Sequence, residues 1–266
     1  LQINQQYATI ILTGETTMET KSVLLDVLKH TAGLGIIEQV KITGTGSNTR
    51  LDAMDPNRTV ILSATMHKAV AEFEGEFGIG NLAALSSLSK LSDYSAEHGT
   101  VALVREERSG EVVPTTILFK NANGSKDEYR VMSKDMVDKA MTIGKFKGAD
   151  WRVTVQPSAA KVSQLGEVAS IYSGVEPTFN VKTDDGNLIF EVGSTEGGIV
   201  GRRTFAENVE GTLDSTWSWN LDVFLKIVRL GMSGTCVIQF SDQGVCQIDV
   251  DSGIGVYSYI LPAISR

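Results

Sequence analysis

The chain of 266 residues repeats itself, and that repeat constrains its fold more than any other feature. The stretch Asn81-Leu82-Ala83-Ala84-Leu85-Ser86-Ser87-Leu88-Ser89-Lys90-Leu91 matches Asn220-Leu221-Asp222-Val223-Phe224-Leu225-Lys226-Ile227-Val228-Arg229-Leu230. Each reads Asn-Leu, then apolar residues at helical spacing, then a base followed by Leu. Lys21 and Leu25 recur as Lys161 and Leu165, and Val40-Lys41 recurs as Val181-Lys182. All four anchors are separated by 139 to 141 residues. A nearly constant offset means two copies of one domain. The chain divides into an N-terminal domain over 1–132, a connector over 133–150 and a C-terminal domain over 151–266.

Both halves have the same coarse order. Tyr7 to Leu12 and Trp151 to Val155 read as opening strands. A helix follows each. In the first half Thr16-x-x-Glu19 reads as a capping box before the apolar run Val23 to Leu28. In the second, Pro157-Ser158 opens a helix reaching about Tyr172, with Val162, Leu165 and Val168 on one side. Alternating strands and tight turns come next, such as Thr183-Asp184-Asp185-Gly186-Asn187. Asn81 and Asn220 then cap a second helix, and Gly231 stands where a helix C′ glycine belongs. Long antiparallel strands with two helices per half make the fold class α+β. The connector mixes Met132, Met136, Met141, Ile143 and Phe146 with Lys134, Lys139, Lys145 and Lys147, with no clean period. It reads as a surface linker. Its apolar side chains either meet a partner adaptably or pack on the halves they join.

Charge and motifs exclude several function classes. Lys+Arg is 24 against Asp+Glu of 32, a net charge of −8. The chain is not uniformly basic, although a local basic surface remains open. No apolar run approaches the ~18 residues of a membrane span. The start shows no basic n-region or small-residue cleavage site, so no signal peptide is expected. Cys236 and Cys246 flank the turn Ser241-Asp242-Gln243-Gly244 and are expected to be a reduced, intracellular pair. His30, His67 and His98 lie apart from one another and from metal-type partners. Gly33-Leu34-Gly35 and Gly44-Thr45-Gly46 lack the third glycine of a dinucleotide loop. Asp52, Asp55, Asp184 and Asp185 read as turn acids. No nucleophile elbow or phosphate loop occurs, so no catalytic residue, metal or cofactor is expected, and the chain reads as a non-enzyme.

The helices carry the positive charge. At 100° per residue, Leu82, Leu85 and Leu88 form an apolar arc, as do Leu221, Phe224, Leu225 and Val228. Lys90 and Arg229 point away from those arcs, Lys226 lies close to Arg229, and Lys29 points off the first helix. Lys21 and Lys161 fall near the apolar side and must reach out along their stems. Lys21, Lys29, Lys90, Lys161, Lys226 and Arg229 stand against Glu19, Asp26, Glu167 and Asp222, a balance of +2 that leaves −10 for the remainder. Basic helices on an acidic body would attract phosphate on one surface and repel it elsewhere; ordinary solvated helix faces would show the same count.

These residues resemble a known family. Leu51-Asp52-Ala53-Met54-Asp55, Val60, Leu62, Phe73-Glu74 and Asn81-Leu82-x-x-Leu85 resemble the first domain of the sliding clamps typified by proliferating cell nuclear antigen and the T-even-type bacteriophage clamps. Val153-Thr154-Val155-Gln156-Pro157-Ser158 is similar to the start of that family's second domain, and Gly255 to Ile264 to its last strand and tail. The resemblance spans essentially the whole chain. The longer turn Pro56-Asn57-Arg58-Thr59, the missing acidic tail and the unusual Trp217-Ser218-Trp219 depart from the nuclear clamps and favour a divergent, bacteriophage-like member.

The resemblance implies a duplicated βαβββ-type clamp fold, with antiparallel sheets outside and four helices lining a ring of three subunits. Duplex DNA would pass through the hole without sequence readout, facing Lys21, Lys29, Lys90, Lys161 and Arg229, with Lys226 added from the helix wheel. The ring would tether a replicative DNA polymerase and meet a clamp loader, both through short peptides with apolar anchors. Their pocket would use Met54, Val60, Met132, Met136, Tyr259, Leu261 and Pro262. Ring closure would pair the strand around Lys126 to Met132 with that around Gly198 to Phe205 of the next subunit, with Arg202 and Arg203 on the latter. Localisation would be intracellular, without membrane partners. Two other readings stay open: a viral structural β-protein without a DNA role, and a hydrolase built from loop carboxylates.

Overall fold

The computed structural model describes residues 19–94, 99–108, 110–142, 144, 146–172, 174–194 and 197–264. The first half runs α1 (Thr20–His30), β1 (Val40–Gly44), β2 (Thr49–Met54), β3 (Ile61–Met66), β4 (Gly75–Ile79), α2 (Leu82–Ser89), β5 (Gly99–Arg108), β6 (Glu111–Asn121) and β7 (Lys126–Arg130). A short strand β8 (Met132–Ser133) and a helix α3 (Lys134–Ala140) lead towards the second half. That half runs β9 (Trp151–Val155), α4 (Ala159–Tyr172), β10 (Thr178–Asp184), β11 (Asn187–Ser194), β12 (Ile199–Ala206), β13 (Asp214–Asn220), α5 (Leu221–Leu230), β14 (Thr235–Ser241), β15 (Val245–Asp251) and β16 (Gly255–Pro262). The expected opening strand Tyr7–Leu12, the box residue Thr16, His98, Ile143 and Lys145 lie outside the described residues.

The repeat is visible in the strand order. In the first half β4-β1-β2-β3 pair in that sequence, and in the second β13-β10-β11-β12 do the same. Likewise β5-β6-β7 form one ladder and β14-β15-β16 another. Every strand pairing between these elements is antiparallel. The halves join where β3 pairs with β16, from Ile61 opposite Ile260 to Met66 opposite Gly255. This junction merges two ladders into a nine-stranded sheet, β8-β4-β1-β2-β3-β16-β15-β14-β9. The counterparts of the joined strands, β12 and β7, remain at the edges of a four-stranded and a three-stranded sheet.

Local chemistry explains the element ends. Asn81 Oδ1 accepts from the Ala84 N–H at 3.4 Å, and Asn220 Oδ1 from that of Val223 at 2.9 Å, so each satisfies an orphan donor of its helix. Asn81 does so from a left-handed backbone, φ 47°, which asparagine tolerates. Glu19 precedes α1 without capping it through its side chain. The β10–β11 hairpin turns on Asp185 and Gly186, both at positive φ, as a two-residue loop of right-handed twist requires. Gly231 differs from expectation. It ends α5 in the right-handed region, and its lack of a side chain serves packing: a Cβ there would stand 2.6 Å from Cys236 Cβ. The connector also differs, because Lys134–Ala140 is helical. Lys134 bonds Asp138 one turn on at 3.0 Å, and Val137 is fully buried.

Helices cover one face of the large sheet. The inward residues Leu62, Tyr257, Tyr259 and Leu261 join Val23, Val27, Leu82, Leu85, Phe224 and Val228 in one core. In the second half, aromatic rings dominate: Phe190 stands 4.3 Å from Phe205 and 4.8 Å from Phe179, while Trp219 meets Phe240 edge-on at 5.5 Å. Cys236 and Cys246 are free and buried on the β14–β15 ladder, opposite Val250 and Phe240 respectively, and burial pushes the Cys236 thiol up to about 12 and raises the Cys246 thiol well above its usual value. Neither carries thiolate reactivity at neutral pH.

One polar knot lies inside this core. His30 is fully buried, with its ring 3.9 Å from that of Tyr257 in a stack. Tyr259 Oη donates to the His30 carbonyl at 3.0 Å, so it accepts from the ring Nδ1–H at 2.9 Å. Asp26 Oδ2 accepts from Tyr257 Oη at 2.7 Å and from Ser252 Oγ at 2.8 Å. Among the described residues His30 Nε2 has no hydrogen-bond partner; Asp26 Oδ1 stands 3.8 Å away. Burial holds the imidazole down to about 4, against the pull of Asp26 and with a small push from Lys29. The knot fastens α1 to β16 across the junction of the halves.

Candidate functional site

The basic helix residues divide into two kinds. Lys29, Lys90 and Arg229 are exposed. Lys226 is partly exposed and bonds Asp222 one turn before it at 2.9 Å. Lys21 is a correction: it is 6% exposed, and its Nζ donates to the Gly99 carbonyl at 2.7 Å. A lysine in the first turn of α1, on the side facing β5, finds a backbone acceptor nearer than solvent. Lys161 behaves similarly, donating to the Thr204 carbonyl at 3.0 Å with Glu207 at 3.8 Å. Sequence could suggest this only through the helix wheel, which places both lysines near the apolar side; their acceptors are distant in the chain.

Arg229 has a distinct setting. Helix α5 packs on α4, and the guanidinium crosses the interior of α4 at Gly166. A shallow cleft of about 460 Å³ there is lined by Ser163, Gly166 and Glu167 of α4 with Arg229 and Met232. Among the described residues Arg229 forms no ion pair, so its charge stays available.

The expected partner pocket is rearranged by strand parity. Side chains alternate faces along a strand, so one residue decides inside from outside. Val60, Tyr259 and Leu261 are 0, 0 and 2% exposed and belong to the core. Their neighbours Ile61 and Ile260 face the other way, Ile61 half-buried and Ile260 only 7% exposed. Met54 opposes Ile61, and Ile61 opposes Ile260, so these three form an apolar row across β2, β3 and β16 on the sheet's outer face. Of the other outward positions on these strands, Arg50, Asp52, Ser63, Thr65 and Ser258 are polar and Val256 is apolar. Pro262 is exposed at the end of β16.

Asp55 organises the turn before this row. Its carboxylate accepts from the Asn57 N–H, the Thr59 hydroxyl and the Val60 N–H, the last at 2.6 Å. The long Pro56–Thr59 turn is thereby held in one shape, with Arg58 at φ 57°. Among the described residues no group of His, Cys, Asp and Glu stands at metal-holding geometry. No described helix is long and apolar enough to cross a membrane.

The connector is docked on β4. Gly78 leaves room for Val137: a Cβ there would stand 2.7 Å from the valine Cβ and 3.3 Å from that of Met132. Four charges tie the same contact. Lys41 Nζ reaches Asp138 at 2.5 Å and Glu76 at 3.0 Å, and Lys134 Nζ reaches Glu76 at 2.6 Å and Asp138 at 3.0 Å. These pairs raise both lysines and lower both carboxylates, each through charge-assisted hydrogen bonds. Helix α3 separates two clefts. One, about 480 Å³, lies over the outer face between Lys41, Asp52, Asp138 and Met141. The other, about 760 Å³, includes Met132, Met136, Val131 and Pro114, with Met136 57% exposed. Met132 and Met136 therefore sit apart from the Met54 row, on the other side of the connector helix.

Among the described residues, β12 and β7 each have a neighbour on one side only. On β12, Ile199 and Val200 are exposed, which is unusual for an edge strand facing water. Arg202 pairs with Asp184 of β10, and Arg203 forms no ion pair among the described residues. On β7, Lys126 and Glu128 pair with each other.

The comparisons with known proteins agree with this architecture. No protein-family model and no curated protein matches the sequence. Solved structures do. The structure of the C-terminal region of FEN-1 bound to A. fulgidus PCNA matches with a TM-score of 0.65 at 13% identity, over 93% of this chain and 97% of that one. PCNA from Thermococcus kodakaraensis matches with a TM-score of 0.62 at 13% identity, over 92% of this chain and 95% of that one. The chain has the α+β, antiparallel-sheet fold of the PCNA sliding clamps.

Proposed function

We propose that the chain is a sliding clamp: three copies close head to tail into a ring around duplex DNA and hold a replicative polymerase there. The observation carrying this reading is the pair of free edges. Inside the chain β3 of one repeat pairs with β16 of the other. The equivalent strands β12 and β7 lack that partner among the described residues. The same junction made between copies would cover both edges, including Ile199 and Val200, and would propagate head to tail until it closes.

The inside of such a ring would carry the helices. Lys29, Lys90, Lys226 and Arg229 would meet phosphates without reading bases, while the acidic remainder of the chain would keep DNA off the outside. Lys21 and Lys161 would serve this face through structure rather than direct contact. The A. fulgidus neighbour is bound to the C-terminal region of FEN-1. By analogy, polymerase and loader peptides would dock on the outer row Met54, Ile61, Ile260 and Pro262, against the connector. The 1–132, 133–150 and 151–266 division, an intracellular location, the absence of catalysis and a bacteriophage-like origin belong to the same proposal.

Threading tests it without a loader. The protein is mixed with linear duplex, and both DNA ends are then blocked by biotin–streptavidin. Retention through a high-salt wash on blocked DNA, with release from unblocked DNA, is the expected result. Equal release from both refutes encirclement.

A further inference from the structure

Gly166 occupies the interior of α4, which runs from Ala159 to Tyr172. A glycine there costs helix stability relative to alanine, because it gives up more backbone freedom and buries no methyl. Something must offset that cost. A Cβ built on Gly166 would collide with Nη2 of Arg229 and lie 3.6 Å from its Cζ. Beyond the helix's own backbone and the adjacent residues Leu165 and Glu167, no other described group lies within 4 Å of that Cβ. The space left by the missing side chain is therefore used by one guanidinium.

We infer that Gly166 is a positioning residue: it lets the Nη2 end of the Arg229 guanidinium seat against α4 in the space a side chain would fill, where the other N–H donors of the fork are held ready for a phosphodiester. This rests on the clamp reading, because the phosphate would come from DNA passing the helices. The chemistry favours arginine here. A planar fork held against a helix loses less freedom on meeting a phosphate than a free side chain does. Glu167 lines the same cleft but forms no ion pair with Arg229, so no carboxylate among the described residues competes for the fork. The obstructing atom is the far end of a flexible side chain. Gly166→Ala can thus be accommodated by moving Arg229 alone, which separates the positioning role from folding.

The test is a double-mutant cycle on duplex affinity, read by fluorescence anisotropy with a labelled 30-base-pair duplex over a salt series. The expected result for Gly166→Ala is a thermal midpoint equal to or above wild type and unchanged solution mass, with binding about tenfold weaker, the scale of one charge-assisted hydrogen bond. Its salt slope should fall by about 0.9 for each phosphate that is no longer neutralised. Arg229→Gln should show the same losses, and the double variant no more than either. In an Arg229→Lys background, Gly166→Ala should change little, since an unbranched ammonium passes a methyl group. Wild-type affinity and slope in Gly166→Ala overturn the inference. So do losses that simply add in the double variant. A wild-type protein with no salt-dependent duplex binding overturns the clamp reading, and this inference with it.

Discussion

Acid should loosen the knot that joins the halves, and the loss has a calculable size. The His30 imidazole is held neutral in the fold, its pKa lowered from 6.5 to about 4 by burial. The unfolded chain takes up that proton first, so stability rises with pH across this window. The contribution is fully present above pH 6.5, is lost as pH falls, and is gone below pH 4. A shift of this size at about 1.4 kcal/mol per unit amounts to about 3 kcal/mol, a large share of an ordinary domain's stability. Asp26 Oδ1, 3.8 Å from Nε2, is the one described carboxylate placed to soften the loss. Lys29 works in the other direction, and Tyr257 and Tyr259 stay neutral throughout, since burial raises both hydroxyls.

The control is His30→Phe. A phenyl ring keeps the stack on Tyr257, and Tyr259 Oη can still donate to the backbone carbonyl of residue 30. It loses the Nδ1–H bond and cannot titrate. Urea midpoints would be taken from about pH 7 to about pH 4 at one fixed protein concentration, because oligomerisation makes stability concentration-dependent. Carboxylates elsewhere titrate in both proteins and cancel in the difference. The stability gap between wild type and variant should shift by about 3 kcal/mol in favour of the variant over that range. Parallel pH profiles would refute the placement of a neutral, buried imidazole at the junction.

Further outcomes follow from single side chains. Asn220→Ala should cost about 1 kcal/mol in urea unfolding by releasing the Val223 N–H; Asn81→Ala should cost more than Asn81→Gly because its backbone is left-handed. Gly78→Ala should push Val137 off β4 and speed limited proteolysis within 134–142, with the far-ultraviolet dichroism unchanged. Met54→Asp or Ile61→Asp should weaken an apolar-anchored peptide, selected for binding from a library, by at least about tenfold in titration calorimetry. Val60→Ala should instead lower the unfolding midpoint and leave the affinity of the folded protein intact.

Sequence carries the architecture further than the surfaces. The Asn-Leu repeats, the two asparagine caps and the Asp185-Gly186 turn are local signals, and each is built as read. Parity is not local in this sense. Val60-Ile61 and Tyr259-Ile260-Leu261 are apolar throughout, so nothing in composition says which member of each faces out; the β3–β16 register decides it. Helix α3 leaves little trace in the pattern because it presents only one buried apolar residue, Val137, and its docking depends on Gly78 and Lys41, distant in the chain. Family resemblance puts Lys21 and Lys161 on a phosphate-facing surface, but the carbonyls of Gly99 and Thr204 claim their ammonium groups. Gly166 carries no local signal, because its role depends on Arg229 crossing it from another helix.

The central claim is that β12 of one copy pairs with β7 of the next until a ring closes. Light scattering across a concentration series tests it most directly. The expected mass is three times the chain mass of 28.7 kDa, stable over a wide concentration range. A single-chain mass persisting at high concentration would contradict ring closure and leave the clamp fold without the mechanism proposed for it.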